Sequence, residues 1–581
     1  GAHIYCRDYD DTAEPGRWEQ LGRTPIEKVE IPPALLRCRI LKEGFDPVER
    51  ALGGGVGDFR LHPTGTQPGM VFVPQGSYTG LTVREAPVDD FWLDKYEVTN
   101  RQYKEFVDRG GYQQRDYWKH PFRKNGRTLT WEQAMAEFRD ATGRPGPATW
   151  ELGAYPQGRA DFPVNGVSWY EAAAFAEFAG KSLPTVDHWY RAAVPAASTP
   201  AIRLSNFGGQ GPAPVGSHPG LGQFGTYDLA GNVKEWCWNP LGERRYLLGG
   251  AWSEGTYLYR IPDAAAPFER LPTYGFRCAK YLKPLPPNLT GPVEFVSRDR
   301  TKDKPVSDDI FRVYRDLHSY DKTDLKPVVE SVDESSEYWR KEKVSFAAAY
   351  GNERVIAWLF LPKNAAPPYQ TAVYFPGAFA LAQRSSERVG DGGAFDFVVR
   401  SGRALVYPIY KGTYERGPSA YYHRFGEPDR WREMNIQWFK DLGRTLDYLE
   451  TRQDIDRGKF AFYGVSLGAS MGPRLTAVEN RFQVNIFLIG GLFEQVAPEV
   501  DGINFAPRVK APTLMINGRN DFLFPLQTSQ LVLFRLLGTP EKDKRHVLLE
   551  GGHDVTLAFR QQVIKEILDW LDRYLGPVTV R

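Results

Sequence analysis

Residues 460–470 read FAFYGVSLGAS. An apolar run, Phe460 to Tyr463, ends at Gly464, and Ser466 and Gly468 complete a G-x-S-x-G pattern just before a helix-compatible stretch. The pattern carries meaning only in that strand–turn–helix setting. Glycines on both sides let the chain turn sharply and let the helix pack against the strand. The start of the helix then aims free backbone N–H groups at the serine.

A serine hydroxyl is a weak nucleophile until a base takes its proton, so a histidine has to follow. Only His546 and His553 lie beyond Ser466. His546 falls in or beside the apolar run RHVLLE, whereas His553 sits in the glycine-rich loop GGHDV after it, which makes His553 the base. The imidazole in turn needs an acid to hold its tautomer and stabilise its charge. PTLMINGRNDFLFP (512–525) places Asp521 in a loop after a buried strand; Asn520 carries no charge, and Asp554 adjoins His553 too closely to face it. A tetrahedral oxyanion needs two backbone donors. Leu467 supplies one, and FPGAFA (375–380) supplies the other through Ala378 or Phe379.

Around this nucleus, from about residue 343, apolar strands such as RVIAWLFLP, TAVYFP, RALVYPIY and KFAFYG alternate with helices such as QWFKDLGRTLDYLETR. Strands that are apolar throughout and separated by helices predict a mostly parallel, doubly wound sheet. The charged lead-in 300–345 reads as partly helical, with DDIFRVYRDLHSY as its best segment. The region resembles dienelactone-hydrolase-like and prolyl-oligopeptidase-like members of the α/β-hydrolase superfamily, and residues 300–581 are taken as that domain. The resemblance implies hydrolysis of an ester, thioester or amide through an acyl-enzyme, with no cofactor and a small or medium ester as the leading substrate. The insertion IYKGTYERGPSAYYHRFGEPDRW (409–431) is expected to select the substrate. Its Tyr410, Tyr414, Tyr421, Tyr422 and Trp431 either line an aromatic pocket or form the core of a small lid.

Residues 68–282 are aromatic-rich, with two expected short helices: one over TNRQYKEFVDRG capped by Thr99 or Asn100, one over SWYEAAAFAEFAG capped by Ser168. MVFVPQGSY, FWLDKYEVTNRQYKEFV, FPVNGVSWYEAAAFAEFAGKSLPT, YDLAGNVKEW and GGAW…GFRCAKY follow one another in the order found in formylglycine-generating enzymes. This resemblance implies a loop-rich, C-type-lectin-like α+β fold. The family's oxidase chemistry uses copper(I) on two thiolates, soft ligands for a soft ion. Those cysteines lie just after an R-G-G-S-[WY] motif. The matching stretch here, LLGGAWSEGTYLYR, has Leu248 for the arginine and presents Ser253, Glu254, Tyr257 and Tyr259 without a cysteine. Cys278 alone does not rebuild the pair, so no copper site is expected. YDLAGNVKEW matches a calcium-binding stretch of relatives with Asn232 and Glu235 as ligands; the alternative is a motif that shapes a turn under Trp236.

Residues 1–60 read as a small β unit, with HIYCRDYD, IEKVEIP and LLRCRILKEGF as strands and LGRTP as a turn. The pattern resembles PEGA-type β-sandwich domains. ALGGGVGDFRLHPTGTQPG (51–69) reads as a linker. Cys6, Cys38, Cys237 and Cys278 lack C-x-x-C spacing, which argues against structural zinc and leaves two disulfides or four buried thiols. With a net charge of +2 and 25% charged residues, nothing argues for a nucleic-acid surface, which would need a basic stripe or tail. No apolar run approaches the roughly 18 residues a membrane span needs. The first methionine is Met70, so the sequence reads as a trimmed or processed piece. The order of the three modules resembles the C-terminal part of certain large bacterial Ser/Thr kinases. That implies a membrane-anchored parent, an extracytoplasmic location (with a cytoplasmic one still open) and, as an alternative to catalysis, modules that sense a ligand.

Overall fold

The computed structural model describes residues 1–12, 17–26, 35–53, 59–77, 87–193, 198–259, 261–293, 298–381, 383–390, 393, 395–417, 428–493, 496–553, 555–556 and 559–580. The chain forms two compact units, 1–296 and 297–581.

In the first unit, strands His3–Asp8, Glu19–Arg23, Leu35–Leu41 and Val48–Gly53 make one antiparallel sheet in the order second, first, third, fourth. Among the described residues this is a single sheet, not the expected sandwich. LGRTP contributes to a strand rather than a turn, and IEKVEIP lies almost wholly outside the described residues. Cys6 and Cys38 face each other in register and form a disulfide, while Cys237 and Cys278 are buried free thiols. The linker reading of 51–69 is corrected as well. Phe59 and Leu61 pack on the sheet's apolar face, and Asp46 N–H donates to His62 O at 2.9 Å. Apolar side chains in the segment explain why it does not stay free.

The rest of the unit is built from short strands and capped helices. Met70–Val73, Phe91–Asp94 and Ala279–Tyr281 form one sheet; Lys234–Leu241, Arg244–Leu248, Asp263–Ala265 and Tyr274–Gly275 form another. Both expected helices are present. Thr99 caps Asn100–Asp108 and Ser168 caps Trp169–Phe178, each in a reciprocal capping box with the residue three positions on. Helices Trp131–Glu137 and Val186–Ala193 were not anticipated.

The second unit is organised by a nine-stranded sheet. Its strands are β1 (Val328–Asp333), β2 (Trp339–Ala347), β3 (Arg354–Pro362), β4 (Tyr369–Phe375), β5 (Ala404–Ile409), β6 (Ile455–Val465), β7 (Phe482–Leu488), β8 (Thr513–Gly518) and β9 (Lys544–Leu549). The order is β1-β2-β3-β5-β4-β6-β7-β8-β9. β1 to β3 run antiparallel, and every pair from β5 onward is parallel. The charged lead-in thus supplies two strands besides its expected helix, Asp308–Asp316. β1 is exposed along its whole length, which is why its charges did not read as a strand.

Alternation along each strand divides its side chains between two cores. Val373, Phe375, Phe460 and Phe462 pack with the helices α2 (Pro428–Leu449) and α3 (Leu467–Val478). Ala372, Tyr374, Ala461 and Tyr463 pack with α1 (Asp396–Arg400) and α4 (Arg560–Leu575). The sheet is covered on both faces, as the uniformly apolar strands predict.

Candidate active site

Ser466 occupies the turn between β6 and α3 with φ 52° and ψ −107°, in the left-handed half of backbone space that side chains avoid. The surroundings hold it there. Its N–H donates to Leu488 O at 2.8 Å, and Gly468 N–H donates to Pro376 O at 3.1 Å. A Cβ on Gly464 would stand 2.5 Å from Gly468 O, and one on Gly468 would stand 2.2 Å from Phe375 O. Both flanking glycines are therefore required by close backbone approach.

Ser466 Oγ lies 2.9 Å from His553 Nε2, and His553 Nδ1 lies 2.8 Å from Asp521 Oδ2. A carboxylate only accepts, so Nδ1 carries the proton and Nε2 is left to accept from the serine hydroxyl. Asp521 Oδ1 accepts from Leu523 N–H at 2.8 Å and Phe524 N–H at 3.0 Å, which fixes the carboxylate's orientation. All three side chains are buried, and the Phe524 ring packs 5.7 Å from the imidazole. They follow β6, β8 and β9, so parallel strands deliver them to one end of the sheet.

Leu467 opens α3 beside the serine. Opposite it, the loop after β4 runs through Gly377, whose position leaves 3.5 Å between an added Cβ and Ser466 Cβ, into a short turn of helix at Ala378–Leu381. Ala378 and Phe379, which begin that turn, are half-buried. Ser470 was not singled out from the sequence. Its hydroxyl donates to Ser466 O at 3.1 Å and accepts from Gly491 N–H at 3.3 Å, tying the turn to the loop after β7. Its place one helical turn after the serine was the available signal.

The aromatic pocket reading is corrected. Tyr410 is fully buried and stacks on Phe375 at 4.0 Å; Tyr414 is buried with its hydroxyl 2.9 Å from that of Tyr407; Trp431 packs edge-on against Trp438. These three are core. Tyr421 and Tyr422 lie outside the described residues. His546 Nε2 lies 3.1 Å from Asn517 Oδ1, and its burial lowers its pKa to about 4, so it is a packed neutral imidazole.

In the first unit, Asn232 and Glu235 do not fit calcium. Both Glu235 oxygens accept from Arg277, one of them also from Trp189 Nε1 at 2.8 Å. The pair with Arg277 closes at 2.7 Å with both side chains fully buried. Asn232 Oδ1 accepts from Ala213 N–H and Asn206 Nδ2, and its amide donates to Glu97 at 2.6 Å. A guanidinium already neutralises the carboxylate that a cation would need. At the stretch matching the copper motif, Glu254 pairs with the buried Lys234 at 2.6 Å. Burial pushes the Cys237 and Cys278 thiols well up, which keeps them protonated.

Comparison with known proteins divides along the same line. Residues 56–282 match the family described as the sulfatase-modifying factor enzyme 1-like domain, so the chain contains a domain similar to formylglycine-generating enzymes. Hercynine oxygenase of Mycobacterium tuberculosis is 31% identical over 209 residues, covering 29% of this chain and 46% of the relative. Serine/threonine-protein kinase pkn1 of Chlamydia caviae is 31% identical over 232 residues, covering 35% of this chain and 34% of the kinase. The chain therefore spans less than half the length of these curated relatives. An acetyl xylan esterase from Paenibacillus sp. R4 overlaps 48% of this chain and 98% of its own at 18% identity, with a TM-score of 0.38. The second unit is defined by its strand order and by the helix layers on both faces of its sheet.

Proposed function

We propose that the second unit is a serine hydrolase acting on small or medium carboxylic esters through an acyl-enzyme. The observation that carries this is the continuous hydrogen-bonded line from Ser466 through His553 to Asp521 at the end of parallel strands. In this reading His553 takes the Ser466 proton as the hydroxyl attacks the ester carbonyl. Asp521 stabilises the resulting imidazolium, and the backbone N–H groups of Leu467 and of Ala378 or Phe379 receive the oxyanion. His553 then protonates the leaving alcohol, and water, activated by the same imidazole, releases the acid.

Turnover of p-nitrophenyl acetate and butyrate tests the proposal. The intact protein is expected to hydrolyse both, and Ser466→Ala to lose activity to background. Equal rates in parent and variant would refute it. The Cys6–Cys38 disulfide favours an extracytoplasmic location, since such bonds persist in oxidising compartments. Similarity to a chlamydial serine/threonine-protein kinase is compatible with a second reading, in which the chain is part of a larger protein and the second unit binds rather than turns over its ligand. Retained ester binding without turnover by the intact protein would favour that reading. No described helix is long and apolar enough to cross a membrane.

A further inference from the structure

We propose that the first unit binds a small organic anion, a single carboxylate or phosphate head on an apolar body, in the cavity lined by Arg50 and Lys95. The cavity measures about 280 Å³ and lies between the N-terminal sheet and the segments that carry His62, Phe72, Trp92 and Phe224.

Arg50 is only 7% exposed, yet it has no carboxylate partner among the described residues and its Nε has no hydrogen-bond partner. Its guanidinium is held over the rings of Phe59 at 5.4 Å and Phe224 at 5.3 Å. Arg191 also lies over Phe224, at 4.7 Å, and its positive charge acts against that of Arg50. Burial and that neighbour lower Arg50 to about 10, which leaves it charged at neutral pH. A buried cation without a counter-ion is costly, and such groups concentrate at functional sites. Lys95 likewise lacks a carboxylate among the described residues and sits 5.4 Å from the rings of Tyr96 and Tyr227.

Most other charges around the cavity have partners, although the buried Oε1 of Glu49 accepts no hydrogen bond. Arg60 pairs with Asp90 at 2.6 Å, Arg39 stands 3.6 Å from Glu49, and Asp46 accepts from Gly65 N–H. An arginine fork held by aromatic faces suits the paired oxygens of a carboxylate or phosphate. His62 packs 4.7 Å from Phe72 and 4.6 Å from Trp92, and its buried Nε2 has no partner. That offers one polar atom on an otherwise apolar wall. The volume sits at the small end of ligand pockets, fitting a body of about one ring.

Titration calorimetry of the full chain with benzoate, phenyl phosphate, inorganic phosphate and neutral benzamide tests this. Benzoate or phenyl phosphate is expected to bind saturably, with inorganic phosphate and benzamide at least about tenfold weaker. Arg50→Met should weaken binding at least about tenfold without lowering the ligand-free unfolding temperature, because the variant removes an uncompensated charge. Lys95→Gln should weaken binding by a smaller factor, and it decides the matter if Arg50→Met does not fold. Arg101→Gln, at a surface pair with Asp161, should change nothing. Absence of saturable binding to the parent chain, unaltered binding in both cavity variants, or equal binding of benzamide would overturn the proposal.

Discussion

Ser466 carries a φ of 52°, a conformation that costs a residue with a side chain about 1–3 kcal/mol. Backbone bonds to Leu488 and Pro376 hold the turn against that strain, so the hydroxyl is fixed before any substrate arrives. Asp521 works through geometry of the same kind, since its carboxylate is the group that keeps the proton on His553 Nδ1. Asp521→Asn is therefore expected to lower kcat for p-nitrophenyl acetate by about three to four orders of magnitude, with KM little changed, because the amide permits the wrong tautomer. Steady-state kinetics checks this; a loss under tenfold would remove Asp521 from its role. Ser466, Asp521 and His553 were legible because each follows a strongly apolar run and their chain order leaves few rivals. The roles of Tyr410, Tyr414 and Trp431 were not. An aromatic side chain reads the same in a pocket and in a core, and only packing against Phe375, Tyr407 and Trp438 tells them apart.

The junction of β6 with α3 depends on glycine at two positions. Gly468→Ala would drive a methyl carbon to 2.2 Å from Phe375 O, and backbone cannot yield cheaply there. We expect a loss of about 2–4 kcal/mol in urea unfolding together with loss of esterase activity. In the N-terminal sheet, the Cys6–Cys38 bond closes a loop between residues 32 apart on adjacent strands. Cys38→Ser is expected to destabilise the first unit by about 2–4 kcal/mol, seen as an earlier calorimetric transition. The parallel strands β4 to β8 were visible because strands buried on both faces are largely apolar. β1 and β2 were missed for the complementary reason: an exposed edge and its neighbour carry lysines and glutamates that read as a charged helix or loop. Glu19–Arg23 was missed because the glycine inside it, with the threonine and proline just after it, mimics a turn.

For each whole unit, buried titratable groups set the response to acid. In the second unit His318 and His546 are both lowered to about 4 by burial. The unfolded chain binds protons at its ordinary histidine pKa, near 6.5, before the folded one does, so stability is full above that value and is lost as pH falls toward 4. The unfolding temperature of this unit should drop by roughly 5–10 °C between pH 7.5 and 4.5. In the first unit His120 and His188 act in the same direction. Burial raises Asp228 to about 6 and Glu269 to about 7, and these acids work in the opposite sense because they favour the folded state as pH falls. The first unit should therefore show the flatter profile by scanning calorimetry; a flat profile in the second unit would contradict the assignment of its histidines.

Labelling with a fluorophosphonate probe, followed by peptide mapping, asks whether the chain holds an activated serine and which one it is. The account predicts a single labelled peptide containing Ser466, absent in Ser466→Ala and strongly reduced in His553→Ala. A parent protein that takes up no label, or takes it up at another serine, would contradict it.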